Sequence, residues 1–130
     1  MKNLIFVLCG MFSSAALAGE SYGCVGLDRD GDEAKIELKF KDMKAVTVVD
    51  MEGDEKELTY DGETSRNKIF ANYEYDGYGG SLELKLPKKF QISGSDAMEE
   101  FRARYVHKVY SELGHVGTYS FSGTCQRQDN

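Results

Sequence analysis

Apolar and charged residues alternate with period two along Ala34-Lys35-Ile36-Glu37-Leu38-Lys39-Phe40, the pattern of a strand with one face buried. Tyr22 to Asp28 precedes it, joined through Asp30-Gly31, a pair that tolerates the positive φ of a hairpin turn. Lys44 to Met51 is rich in valine and threonine and predicts a third strand, broken at Glu52-Gly53-Asp54. Leu58 and Tyr60 mark a short fourth strand before the polar stretch Asp61 to Lys68. Ile69 to Tyr75 predicts a fifth, and Asp76-Gly77-Tyr78-Gly79-Gly80 the turn after it. Ser81 to Leu86 alternates through Leu82, Leu84 and Leu86 and stops at Pro87, the one proline of the chain. Gly117 to Gln126 is the last strand, with Tyr119, Phe121, Gly123 and Cys125 on one face and Ser120, Ser122 and Thr124 on the other.

Residues 96–114 fit two periods. As a helix, Asp96 and Glu99 form a capping pair, Met98, Phe101, Tyr105, Val109 and Leu113 recur at helical spacing, and Gly114 stops it. As a strand, Phe101, Ala103, Tyr105, His107 and Val109 share a face opposite Arg102, Arg104 and Lys108. The strand is favoured, because eight strands in an up-and-down meander close into a barrel whose first and last members are antiparallel neighbours. The expected fold is therefore a small all-β barrel, or a β-rich fold of seven strands with one helix at 96–114.

The front of the chain adds a compartment. Lys2, an apolar run from Leu4 to Phe12 and Ala16-Leu17-Ala18 have the layout of an export signal, too short for a spanning helix. Cleavage after Ala18 leaves one domain, residues 19–130, in the periplasm or the medium. Cys9 leaves with the signal; Val7-Leu8 before it is not the small-residue approach that lipidation needs. Cys24 and Cys125 remain, at opposite ends of the domain, in a setting where thiols are oxidised. A bridge between them closes about 100 residues and is worth about 4.7 kcal/mol in the chain-entropy model. It brings the first and last strands together, as the barrel requires.

Loss of Lys2 takes the formal charge from −6 to −7. Nucleic acid needs clustered lysine and arginine, and an anionic membrane surface attracts basic segments, so neither is an expected partner. An acidic surface suits a cationic protein, or simply keeps a secreted protein dissolved. Asp28-Arg29-Asp30-Gly31-Asp32-Glu33 begins like a calcium loop, but its sixth and twelfth places hold Glu33 and Lys39 where glycine and glutamate belong. A solvated hairpin turn is the better reading, and no metal or cofactor is expected. His107 and His115 lack the partners of a zinc site or of a general base with its nucleophile, and Ser120 and Ser122 read as surface. No catalytic set emerges, and the chain reads as a non-enzyme.

The turn after the fifth strand is the best candidate for binding. Tyrosines supply wide contact area at low entropy cost and glycines let a loop approach closely, which singles out Tyr75, Asp76, Tyr78 and Gly79. The large residues Phe40, Phe70, Tyr105 and Phe121 are expected to fill a barrel that otherwise has room for one small ligand. The primary expectation is thus an exported binding barrel taking an unidentified small molecule or a cationic protein. In size, export, acidity, β content and a bridge near its ends, the chain also resembles the bacterial periplasmic inhibitors of chicken-type lysozyme. That resemblance, one of architecture, implies inhibition of a basic hydrolase and assigns no residue a role.

Overall fold

The computed structural model describes residues 20–75, 80–111 and 114–128, with side chains throughout except at 74–75, 80, 110–111 and 114–116. The proposed export segment, 1–18, lies outside these residues. Eight antiparallel strands follow one another: β1 (Glu20–Asp28), β2 (Glu33–Asp42), β3 (Ala45–Val49), β4 (Glu55–Glu63), β5 (Asn67–Tyr75), β6 (Gly80–Pro87), β7 (Glu100–Ser111) and β8 (Gly114–Arg127). Each pairs with the next, and β8 returns to β1, closing the barrel. Closure gives every strand two partners and leaves no edge exposed.

The helical alternative for residues 96–114 is not realised. β7 pairs along both sides, with β6 through Leu84↔Tyr105 and with β8 from Glu100↔Gln126 onward. A helix there would have left two strand edges with unsatisfied backbone groups. β4 is longer than the hydrophobic pattern indicated, because Glu55, Lys56 and Glu57 join its ladder opposite β3. Among the described residues no helix is long and apolar enough to cross a membrane.

β1 and β8 meet where the expected bridge forms. Cys24 lies directly opposite Cys125, with Cα atoms 3.9 Å apart and the sulfurs bonded. Two pairs further along, Gly26 faces Gly123, and a Cβ on Gly26 would stand 2.5 Å from the Gly123 Cα. Only glycine at both places lets the strands close this tightly.

The interior is filled with side chains. Tyr22, Phe40, Phe70, Phe101, Tyr105 and Phe121 are all buried, as are Leu38, Leu58, Leu82, Leu84 and Leu86. One end is sealed by the connection between β6 and β7, which sends Phe90 and Ile92 inward. The Phe90 ring lies 4.7 Å from Phe101 and 5.0 Å from Phe40, and Tyr22 meets Phe101 at 5.0 Å. Polar ties hold this plug. Arg127 donates to the Ile92 carbonyl at 2.7 Å and to the Tyr22 hydroxyl at 3.2 Å, and that hydroxyl donates to the Met98 carbonyl at 3.3 Å. The opposite end carries the β1–β2, β3–β4, β5–β6 and β7–β8 connections and has no such plug among the described residues.

A candidate binding mouth at the open end of the barrel

Two connections at the open end are copies of one turn. Residues 28–32 read Asp-Arg-Asp-Gly-Asp and residues 50–54 read Asp-Met-Glu-Gly-Asp. In the first, Asp28 Oδ1 accepts the backbone N–H groups of Asp30 and Asp32, at 2.9 and 3.0 Å. In the second, Asp50 Oδ1 accepts those of Glu52 and Asp54, again at 2.9 and 3.0 Å. Gly31 and Gly53 take φ of 86° and 88°, a region that side chains rarely enter. The leading aspartate thus caps the turn with its side chain, the usual work of Asx residues. Residues 28–33 are accordingly a hairpin turn. Each turn holds three carboxylates with oxygens within 4.8 Å of one another, Asp28, Asp30 and Asp32 in one and Asp50, Glu52 and Asp54 in the other. Neighbouring Glu33 and Glu55 add to the acidity of the rim.

Against the β3–β4 turn lies a recess of about 530 Å³, bounded by Met51, Lys56, Tyr105, His107 and Tyr119 together with the acids of that turn. Tyr105 and Tyr119, brought side by side by the β7–β8 register, meet edge to face with centroids 6.4 Å apart. Lys56 occupies an inward position of β4 and is 7% exposed. Its ammonium donates to Asp50 Oδ2 at 2.8 Å. A lysine is tolerated inside a barrel when a carboxylate meets its charge. Burial pushes the Asp50 carboxyl up, but the Lys56 hydrogen bond, the Asp54 and Glu52 N–H groups and the Lys56 charge outweigh it. The carboxyl is held below its ordinary value. Burial, then the charges of Asp28 and Asp50, push the Tyr119 phenol up, with Lys56 opposing. Tyr119 therefore stays a neutral hydrogen-bonding group at physiological pH.

The residues singled out in the sequence fall around this mouth unevenly. Cys24 and Cys125 form the closing bridge. Tyr75 is the last residue of β5 and pairs through its backbone with Gly80, so the β5–β6 connection leaves from the open end. Asp76, Tyr78 and Gly79 themselves lie outside the described residues, as does the His115 side chain. His107 stands in the recess beside the two tyrosines, with no serine or cysteine among the described lining residues. Asp50, Lys56, Tyr105 and Tyr119 were not read as a site. Their signal was the Asp-x-Asp/Glu-Gly-Asp repeat, two copies of which bracket β2 and β3. An ion bound at either turn would share it with Asp28 or Asp50, whose Oδ1 atoms already serve the backbone.

No protein-family model matches this chain, and no curated protein or solved structure matches it either, so its functional reading rests on its own residues.

Proposed function

We propose that this protein is an exported, non-enzymatic binding barrel that receives a cationic partner protein at its open end. The observation that carries the reading is a recess walled by Tyr105, Tyr119 and Met51 and edged by the acids of the β3–β4 turn, with Asp28 and Asp30 of the β1–β2 turn on the other side of Tyr119. Aromatic and methionine side chains at the centre with charges at the margin is the anatomy of a protein-binding surface. The acids attract and orient a basic partner, and the recess accepts one of its side chains. Asp50 is bound to Lys56 and held ionised, which suits a fixed charge better than a proton-transferring group. The Cys24–Cys125 bridge is consistent with the oxidising compartment to which the segment at 1–18 would send the chain. A basic hydrolase such as chicken-type lysozyme is the partner class this surface fits.

A second reading is favoured by the size of the recess. At about 530 Å³ it lies within the range of small-molecule sites, so a small apolar cation would also fit. Titration of the mature protein with chicken-type lysozyme separates the two. Association that weakens with added salt, accompanied by loss of lysozyme activity, is expected. Tyr119→Ala should lower the affinity about tenfold, chiefly through faster release. Asp30→Asn with Glu52→Gln should instead slow association. Unaltered lysozyme activity at stoichiometric excess would rule out this inhibitor role.

A further inference from the structure

The outer wall of the barrel carries a second feature of opposite sign. Successive strands point alternate residues outward, so Lys85 of β6 and Arg104 and Lys108 of β7 share the outer face. Arg29, from the β1–β2 turn, completes the lining of a surface basin of about 510 Å³. Among the described residues, Arg29, Arg104 and Lys108 have no ion pair. Lys85 has one at 3.8 Å, to Glu83, the one acid of the lining. Lys85 and Arg104 are direct cross-strand partners. Like charges placed opposite one another cost a sheet stability, so their pairing serves nothing in the fold itself. It occurs, moreover, in a chain of net charge −6.

Apart from Glu83, which is paired with Lys85, the floor and walls between the cations are neutral. Val106 forms the floor, and Ser81, Thr118 and Ser120 bring hydroxyls from both flanking strands. Arg104 and Lys108 stand four residues apart on one strand, about 13 Å. One small anion cannot reach both. The matching ligand carries its negative groups at intervals along a chain and presents hydroxyls between them. We infer that this basin binds an acidic oligosaccharide, with its carboxylate, sulfate or phosphate groups on Arg104, Lys108 and Arg29 and its sugar hydroxyls along the serine and threonine rows. A nucleic acid would want stacking platforms, and the one aromatic ring of the lining, Tyr73, has its hydroxyl tied to Asp61 at 2.9 Å. A membrane surface would want apolar side chains to insert, which this lining does not project.

A heparin-derived hexasaccharide tests the inference, titrated into the mature protein at low salt beside the same hexasaccharide stripped of its charges. Salt-sensitive binding of the charged form alone is expected, with amide shifts centred on residues 81–85, 104–108 and 118–120. Arg104→Gln and Lys108→Gln, both exposed, should each weaken it about tenfold and leave the melting temperature unchanged. Tyr119→Ala at the mouth should not affect it, which keeps this site separate from the proposed protein-binding end. Absence of binding, shifts elsewhere, or indifference to both substitutions would overturn the inference. So would equal affinity for a single-stranded oligonucleotide of matched charge, or for vesicles of anionic phospholipid.

Discussion

Asp50 performs two tasks with one carboxylate. Oδ1 caps the β3–β4 turn through the Glu52 and Asp54 N–H groups, while Oδ2 meets the buried Lys56 ammonium. Asparagine retains an oxygen for the cap and loses the charge, so Asp50→Asn isolates the second task. The substitution should cost about 1.5–3 kcal/mol at neutral pH, the range for a hydrogen bond between charged groups. The sign of the pH dependence follows from the lowered carboxyl. Its contribution is whole above the ordinary value of 3.8 and is lost as pH falls through the lower folded-state value. In denaturant titrations across this range the gap between wild type and Asp50→Asn should therefore narrow with acidification. A gap that stays constant would mean that the Lys56 pairing contributes nothing. The hydrophobic pattern could not show this pair: Lys56 shares the inward parity of Leu58, but a lysine in an alternating strand reads as solvent-facing. Residues 52–54 were legible as a break between strands, the turn in fact begins at Asp50, and the likeness of residues 50–54 to 28–32 was the clue to more.

At the scale of elements, the strands were legible and the plug was not. Period-two alternation located β2 and β6 directly, and the shared face of Phe101, Ala103 and Tyr105 is buried as that alternation requires. The connection from Lys88 to Glu99 has no period, and its inward turn depends on tertiary partners: Phe40, Phe101 and Tyr22 for Phe90, and Arg127 for the Ile92 carbonyl. Tyr60, two residues from the buried Leu58, does not share its burial, for a related reason. The register of β4 against β5 shifts between Tyr60 and Gly62, and the ring lies 40% exposed against Phe70, with its hydroxyl donating to Glu63 at 3.0 Å. Because Phe90 is fully buried among aromatic rings, Phe90→Ala should destabilise the protein by about 3–5 kcal/mol in equilibrium unfolding. A cost near zero would show that the connection does not seal the barrel. The open end does not depend on it, so any partner affinity should survive wherever the variant remains folded.

The whole molecule is polar along the barrel axis. Closure through β1 and β8, fastened by Cys24–Cys125, puts four connections at the open end and three, with the ends of β1 and β8, at the other. The plugged end mixes charges, with Lys41, Lys44, Arg66, Lys88 and Lys89 against Asp42, Glu63 and Glu99. Among the described residues, the open end carries acids in two turns, one edging the recess and one beside Tyr119. Net charge read from the sequence suited a cationic partner or plain solubility, and could not say where acids would cluster, because the ends of a barrel are assembled from connections far apart in the chain. Tyr75 closes β5 at the open end, where the alternation of residues 69–75 put the end of that strand. On the proposed function, this acidic mouth, rather than the sealed end or the wall, receives the cationic partner. Amide-shift mapping of the isotopically labelled protein, residues 19–130, against chicken-type lysozyme decides between these surfaces. Shifts clustered at residues 28–32, 50–56, 105–107 and 119, fading as salt is added, are the predicted result. Shifts centred on residues 41–44, 63–68 or 88–99, or none at saturating partner, would contradict it.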